Sequence, residues 1–186
     1  MRIIAGTARS LPLKTIPGRD TRPTTDKIKE TLFNMLAPDI PGCSFLDLFA
    51  GSGQIGLEAI SRGAKYAVFV ENSRKAAACI QENIAFTRFT DRSRLMITDV
   101  GTALLQLEGH MQFDIIFMDP PYGKDYEKET LELLSGLTLL AGDGYIVVEA
   151  LQDADFSFLK QTNFELYKVK TYRSNAHYYI RWKELI

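Results

Sequence analysis

The chain has 186 residues, 46% of them hydrophobic, with a formal net charge of −1 and two cysteines. That size suits one domain able to bury roughly 70% of its unfolded surface without staples, and Cys43 and Cys79, lacking a ligand-spaced partner, argue against a disulfide framework or a zinc site. No charged leader precedes an apolar run and no apolar stretch approaches the about 18 residues of a membrane helix, so a soluble, cytoplasmic protein is expected.

Met1 to Ala5 reads as a short strand, followed to Pro23 by a Gly-, Pro- and Arg-rich arm without sustained periodicity. Thr24 or Thr25 can cap a helix whose apolar residues Ile28, Leu32, Met35 and Leu36 share one face and which ends before Pro38. Pro41-Gly42 marks entry to the main body, which divides the chain into an arm and helix over residues 1–40 and a main domain over residues 41–186. Strand-like and helix-like runs then alternate: Ser44 to Leu48, a glycine loop and helix to Arg62, Tyr66 to Glu71, a helix to Phe86, Leu95 to Thr98, a helix to Leu107, and Phe113 to Met118. A helix over Tyr126 to Leu134 and a strand over Tyr145 to Glu149 follow. This alternation predicts an α/β fold, a doubly wound, mostly parallel sheet. Phe164 to Tyr172 and Ala176 to Trp182, joined by Arg173-Ser174-Asn175, predict an antiparallel hairpin at the end.

Charge is unevenly spread. Residues 1–29 carry +5 and residues 160–186 carry +4, against −10 between them. If both ends fold onto one face, that face suits phosphate; otherwise these are solvated surface charges.

Ligands of doubly wound sheets lie beyond the carboxyl ends of the strands, so the closing residues Asp47, Glu71, Asp99 and Asp119 are the ones to weigh. Asp47 to Gly56 contains G-x-G-x-x-G between a strand and a helix, where a backbone turns sharply and approaches a ligand. The pattern equally suits a dinucleotide, with Glu71 on a ribose diol. A carboxylate at Asp47, four residues before Gly51, sits awkwardly with a pyrophosphate and well with a cationic cofactor tail. Asp99 can accept from an adenine amino group, although Glu71 and Asp99 could each simply cap the next helix. Asp119-Pro120-Pro121-Tyr122 follows the apolar run Phe113 to Met118. Proline fixes φ and donates no N–H, so this turn offers a carboxylate and the Pro120 carbonyl as acceptors beside an aromatic face, parts suited to a planar amine; the plain alternative is a Pro-Pro loop with a half-buried Tyr. His110 and His177 read as surface or hairpin residues.

These residues resemble the class I S-adenosylmethionine-dependent methyltransferases, and among them the RsmD-type enzymes that methylate guanine N2 of bacterial 16S ribosomal RNA. Met1 to Gly6, Thr21 to Asp26, Leu32 to Asn34, Asp47 to Gly53, Phe69 to Glu71 and Asp119 to Tyr122 are similar to that family's blocks in order and spacing. The resemblance implies a Rossmann-like methyltransferase sheet with a short N-terminal extension, and S-adenosyl-L-methionine held by Asp47, Phe49, Gly51, Gly53, Glu71, Asn72, Asp99, Val100 and Thr24. Asp119, Pro120 and Tyr122 would be catalytic. Arg9, Arg22, Pro121 and Arg173 would contact RNA. Arg9-Ser10 stands where the family often has Arg-Gly, and Arg173-Ser174-Asn175 lacks the family's hairpin glycine. The implied partner is 16S rRNA within an assembled or partly assembled small subunit, met by a monomer that needs neither metal nor membrane. Asp119 and Pro120 would each accept one amine N–H, Tyr122 would stack on the ring, and no base of raised pKa is required. A DNA adenine-N6 or cytosine-N4 methyltransferase, a nicotinamide-dependent oxidoreductase and a non-catalytic RNA-binding assembly factor are the competing readings.

Overall fold

A computed structural model describes residues 1–16 and 25–184. Arg22 and Thr24 lie outside those residues. The N-terminal arm leads to α1 (Asp26–Leu36), capped by Thr25, whose hydroxyl accepts the Ile28 N–H at 3.3 Å. Then come β1 (Ser44–Asp47), α2 (Gln54–Ser61), β2 (Tyr66–Val70), α3 (Arg74–Thr87), β3 (Ser93–Met96), α4 (Val100–Leu107), β4 (Phe113–Met118), α5 (Tyr126–Ser135), β5 (Leu140–Leu151), β6 (Phe164–Thr171) and β7 (Asn175–Trp182).

The seven strands form one sheet in the order β3-β2-β1-β4-β5-β7-β6, with β1 to β5 parallel and β7 antiparallel to both β5 and β6. This is the mostly parallel Rossmann-like sheet with an antiparallel hairpin that the alternation of runs predicts. Parallel strands are covered on both faces and so read as continuous apolar runs; on β4 only Asp114 is exposed. One core lies under α1, α2 and α3, around Phe33, Leu57, Phe69 and Ile80, and the other under α4 and α5, around Leu104, Ile116, Leu131 and Ile146. From β1 the chain winds outward to β2 and β3, and from β4 outward the other way to β5, so the crevice between β1 and β4 is the topological switch point.

Met1 to Ala5 is not a strand. Only Arg2 bridges a neighbour, Pro12, because the N–H groups of Ile4 and Ala5 are taken by the buried Glu58 carboxylate of α2, at 2.8 and 3.0 Å. Glu58 also receives Arg62 Nε at 2.7 Å and faces the fully buried Lys29 Nζ of α1 at 3.5 Å. One side chain thus ties arm, α1 and α2 together. The third strand begins and ends two residues before the expected Leu95 to Thr98, and Asp99 beyond it caps α4.

Candidate active site

The site is built at the switch point. Gly53 adopts φ 79° as the N-cap of α2, and Gly56 packs so closely that an added Cβ would lie 2.3 Å from the Phe69 ring. These two glycines let the loop after β1 fold tightly over β2. Its backbone is pinned from two sides. Asp47 Oδ2 accepts the Gly56 N–H at 3.2 Å, and Glu71 Oε2, beyond the end of β2, accepts the Gly51 N–H at 2.9 Å. Glu71 Oε1 takes the Ser73 N–H at 2.8 Å, while Ser73 itself caps α3. Glu71 is therefore a loop anchor rather than the helix cap.

Asp99 is a cap. It accepts the Thr102 N–H at 2.9 Å and the Thr102 hydroxyl at 2.7 Å, and these bonds hold its carboxyl below the usual range. It also lines the same cavity as the glycine loop, so capping fixes the orientation in which it faces the interior.

That cavity, about 1010 Å³, is lined by Asp47, Phe49, Gly51, Glu71, Asn72, Asp99 and Val100 on one side, and by Asp119, Pro120, Pro121, Tyr122 and Glu149 on the other. Its size reaches the upper end of small-molecule sites, with room for a cofactor and part of a second reactant. Phe49 and Tyr126 form an aromatic corner, ring centroids 5.9 Å apart. Tyr122 is 50% exposed, with Pro121 exposed beside it, whereas Pro120 is buried.

The electrostatics are acidic. Asp47 is buried, its Oδ1 has no hydrogen bond among the described residues, and burial pushes its carboxyl up to about 7 against the opposing effect of the Gly56 N–H. Asp119 is also raised well above the carboxylate range, first by burial, then by the nearby charges of Glu149, Asp47 and Glu127. A cavity that crowds carboxyls at this cost is set to receive positive charge, which would relieve both shifts.

Several expected residues stand apart. Gly53 shapes the loop without lining the cavity. Arg9 lies in a second concavity of about 390 Å³ with Arg2, Glu30 and Arg62. Arg173 sits in the β6–β7 turn; because β6 runs parallel to β5, that turn emerges at the carboxyl end of the sheet, the end that carries the cavity. Met1, Thr15, Ile16, Gln54, Thr130 and Glu149 were not singled out by the sequence, yet all line the cavity. Glu149 carried a similar signal, closing the expected strand Tyr145 to Glu149, although β5 runs on to Leu151 through its pairing with β7. His177 is in the hairpin as expected but fully buried, against Glu149.

A glycine loop, acidic strand ends and a Pro-Pro-Tyr turn around the switch point of this sheet define a Rossmann-like methyltransferase. Residues 1–181 match the family described as conserved hypothetical protein 95. The chain is 40% identical over 152 residues to ribosomal RNA small subunit methyltransferase D of Escherichia coli strain K12, covering 81% of this chain and 74% of that protein. It is 34% identical over 172 residues to the protein of the same name from Haemophilus influenzae, covering 92% and 88%. Among solved structures, the yhhF methyltransferase structure of Escherichia coli superposes with a TM-score of 0.84 at 34% identity, covering 100% of this chain and 99% of that one. The chain belongs to this family, the RsmD-type methyltransferases.

Proposed function

We propose that the protein methylates the exocyclic N2 amine of a guanine in small-subunit 16S ribosomal RNA, with S-adenosyl-L-methionine as donor. The RNA class rests on the names of its relatives. The chemistry rests on Asp119-Pro120-Pro121-Tyr122 opening into the cavity that also holds the buried Asp47 Oδ1, which has no hydrogen bond among the described residues.

The residues present fit that donor. The buried Asp47 Oδ1 and the acidic cavity suit its cationic tail; Glu71, oriented by two backbone N–H groups, suits a ribose diol; Asp99, Val100 and the Phe49 ring suit an adenine. When bound, the group supplies an electrophilic methyl on a sulfonium.

The chain's own residues activate the amine. The nitrogen lone pair of a guanine amine is delocalised into the ring, so the nitrogen must be pyramidalised before it is a useful nucleophile. Acceptance of one N–H by the Asp119 carboxylate and the other by the Pro120 carbonyl aims the lone pair and stabilises the ammonium charge that develops. Tyr122, half exposed at the cavity mouth, offers a ring for stacking worth about 1–3 kcal/mol, offsetting part of the cost of unstacking the base. Asp119, with its raised proton affinity, takes the surplus proton once nitrogen is cationic. Arg173, at the cavity end of the sheet, and Arg9, on the arm, hold phosphates. Asp119→Ala tests the assignment: methyl transfer to unmodified small subunits is lost while S-adenosylhomocysteine still binds by calorimetry, and wild-type turnover in that variant would refute it.

A further inference from the structure

Beyond the amine chemistry, the cavity contains an acid on the strand next to the Asp119 turn, Glu149 of β5. In the parallel pairing of β4 and β5, Met118 stands opposite Val148. Asp119, just past the end of β4, and Glu149, within β5, follow these residues, so carboxyls from two adjacent strands line one cavity. Glu149 is 5% exposed and held from β7. Its Oε1 accepts the Asn175 side-chain N–H, and its Oε2 lies 3.1 Å from His177 Nε2. His177 Nδ1 lies 3.0 Å from the Tyr172 hydroxyl, and the Phe117 ring meets the imidazole edge-on at 6.3 Å. With Tyr172 donating to Nδ1, the imidazole donates from Nε2, so Glu149 is an acceptor with a fixed aim.

The amine-holding turn cannot by itself tell one aminated base from another. The second carboxylate can. The guanine edge presents two adjacent donors, N1–H and the 2-amino group. Adenine places the lone pair of N1 beside its amine, and cytosine places that of N3 there. From this we infer, building on the guanine-amine reading above, that Glu149 is the specificity-determining residue, accepting the ring N1–H while Asp119 and Pro120 accept from the amine. A ring lone pair pointed at the same carboxylate is repelled, which excludes adenine and cytosine amines. A carboxylate has about four acceptor positions; two are taken by Asn175 and His177, and Glu149 also lines the cavity. His177 and Asn175 act as positioning residues.

The test replaces the target guanosine in 16S rRNA by 2-aminopurine, which keeps the 2-amino group but turns N1 into an acceptor, and compares kcat/KM on assembled subunits carrying each base. Wild-type protein should prefer guanine by about 100-fold or more. In Glu149→Gln, whose side chain can offer an amide N–H to N1, transfer to guanine falls, transfer to 2-aminopurine holds or rises, and the preference shrinks to about tenfold or less. Retained binding of S-adenosylhomocysteine shows that the variant is folded. Equal use of both bases by the wild type, or an equal fall on both in the variant, overturns the role of Glu149 while leaving the amine chemistry standing. Absence of wild-type transfer to the guanosine substrate overturns the functional reading, and this inference with it.

Discussion

Glu71 Oε2 accepts the Gly51 N–H at 2.9 Å, so the carboxylate beyond the end of β2 fixes the loop that leaves β1. Two jobs fall on one side chain, shaping the loop and presenting acceptors to the cavity. Glu71→Ala should weaken S-adenosylhomocysteine binding by about 10- to 100-fold, since a bond between a carboxylate and an N–H contributes about 1.5–3 kcal/mol. Calorimetric titration reads this; unchanged affinity would show that the loop keeps its shape without the anchor.

Asp47 has its own signature in pH. Its folded carboxyl stands near 7, above the ordinary 3.8 of an unfolded aspartate. Between those values the folded chain binds more protons than the unfolded one, so this group's contribution to stability is fully present below the lower value and lost as pH rises toward 7. Asp47→Asn removes that loss. The ligand-free variant should be more stable than wild type at pH 8 by roughly 1–3 kcal/mol, and nearly equal to it at pH 4. It should also bind the cofactor less well. Denaturant melts at the two pH values would expose an error as an equal shift at both.

Glu58 closes the second centre of the fold. Its carboxylate serves two backbone N–H groups of the arm and faces Lys29 where neither side chain is exposed. Burial lowers the Lys29 amine against the pull of Glu58, which marks a charge that depends on its partner. Glu58→Ala should cost about 3–5 kcal/mol, by leaving that charge unmatched and freeing the arm. Protease sensitivity before Gly6, measured beside the thermal midpoint, separates loss of the arm from general unfolding.

Arg173 at the hairpin turn should contribute to RNA affinity without touching the chemistry. Arg173→Ala is expected to weaken binding to small subunits and to lower the salt dependence by about one phosphate contact. Turnover at saturating substrate should stay near wild type, and a fall in turnover alone would place Arg173 among the reacting groups instead.

The parallel sheet was legible because buried strands such as Phe113 to Met118 declare themselves as apolar runs, and the glycine loop because Gly53 and Gly56 sit where only glycine fits. What sequence could not carry was long-range pairing. Met1 to Ala5 has the composition of a strand, yet the N–H groups of Ile4 and Ala5 go to Glu58, more than fifty residues away. His177 looked like an ordinary hairpin residue, but β7 lies between β5 and β6, which buries the imidazole against Glu149. Asp99 could be read as cap or cavity wall, and it is both. Arg9 shares the basic character of the arm but faces a separate concavity, which its charge alone did not reveal.

The most direct test is transfer of a labelled methyl group to 30S subunits lacking native modification, followed by nucleoside analysis of the 16S rRNA. The account predicts N2-methylguanosine, formed by the wild type and absent with Asp119→Ala. Label in methyladenosine or methylcytidine, or none in the small subunit with active protein, would contradict it.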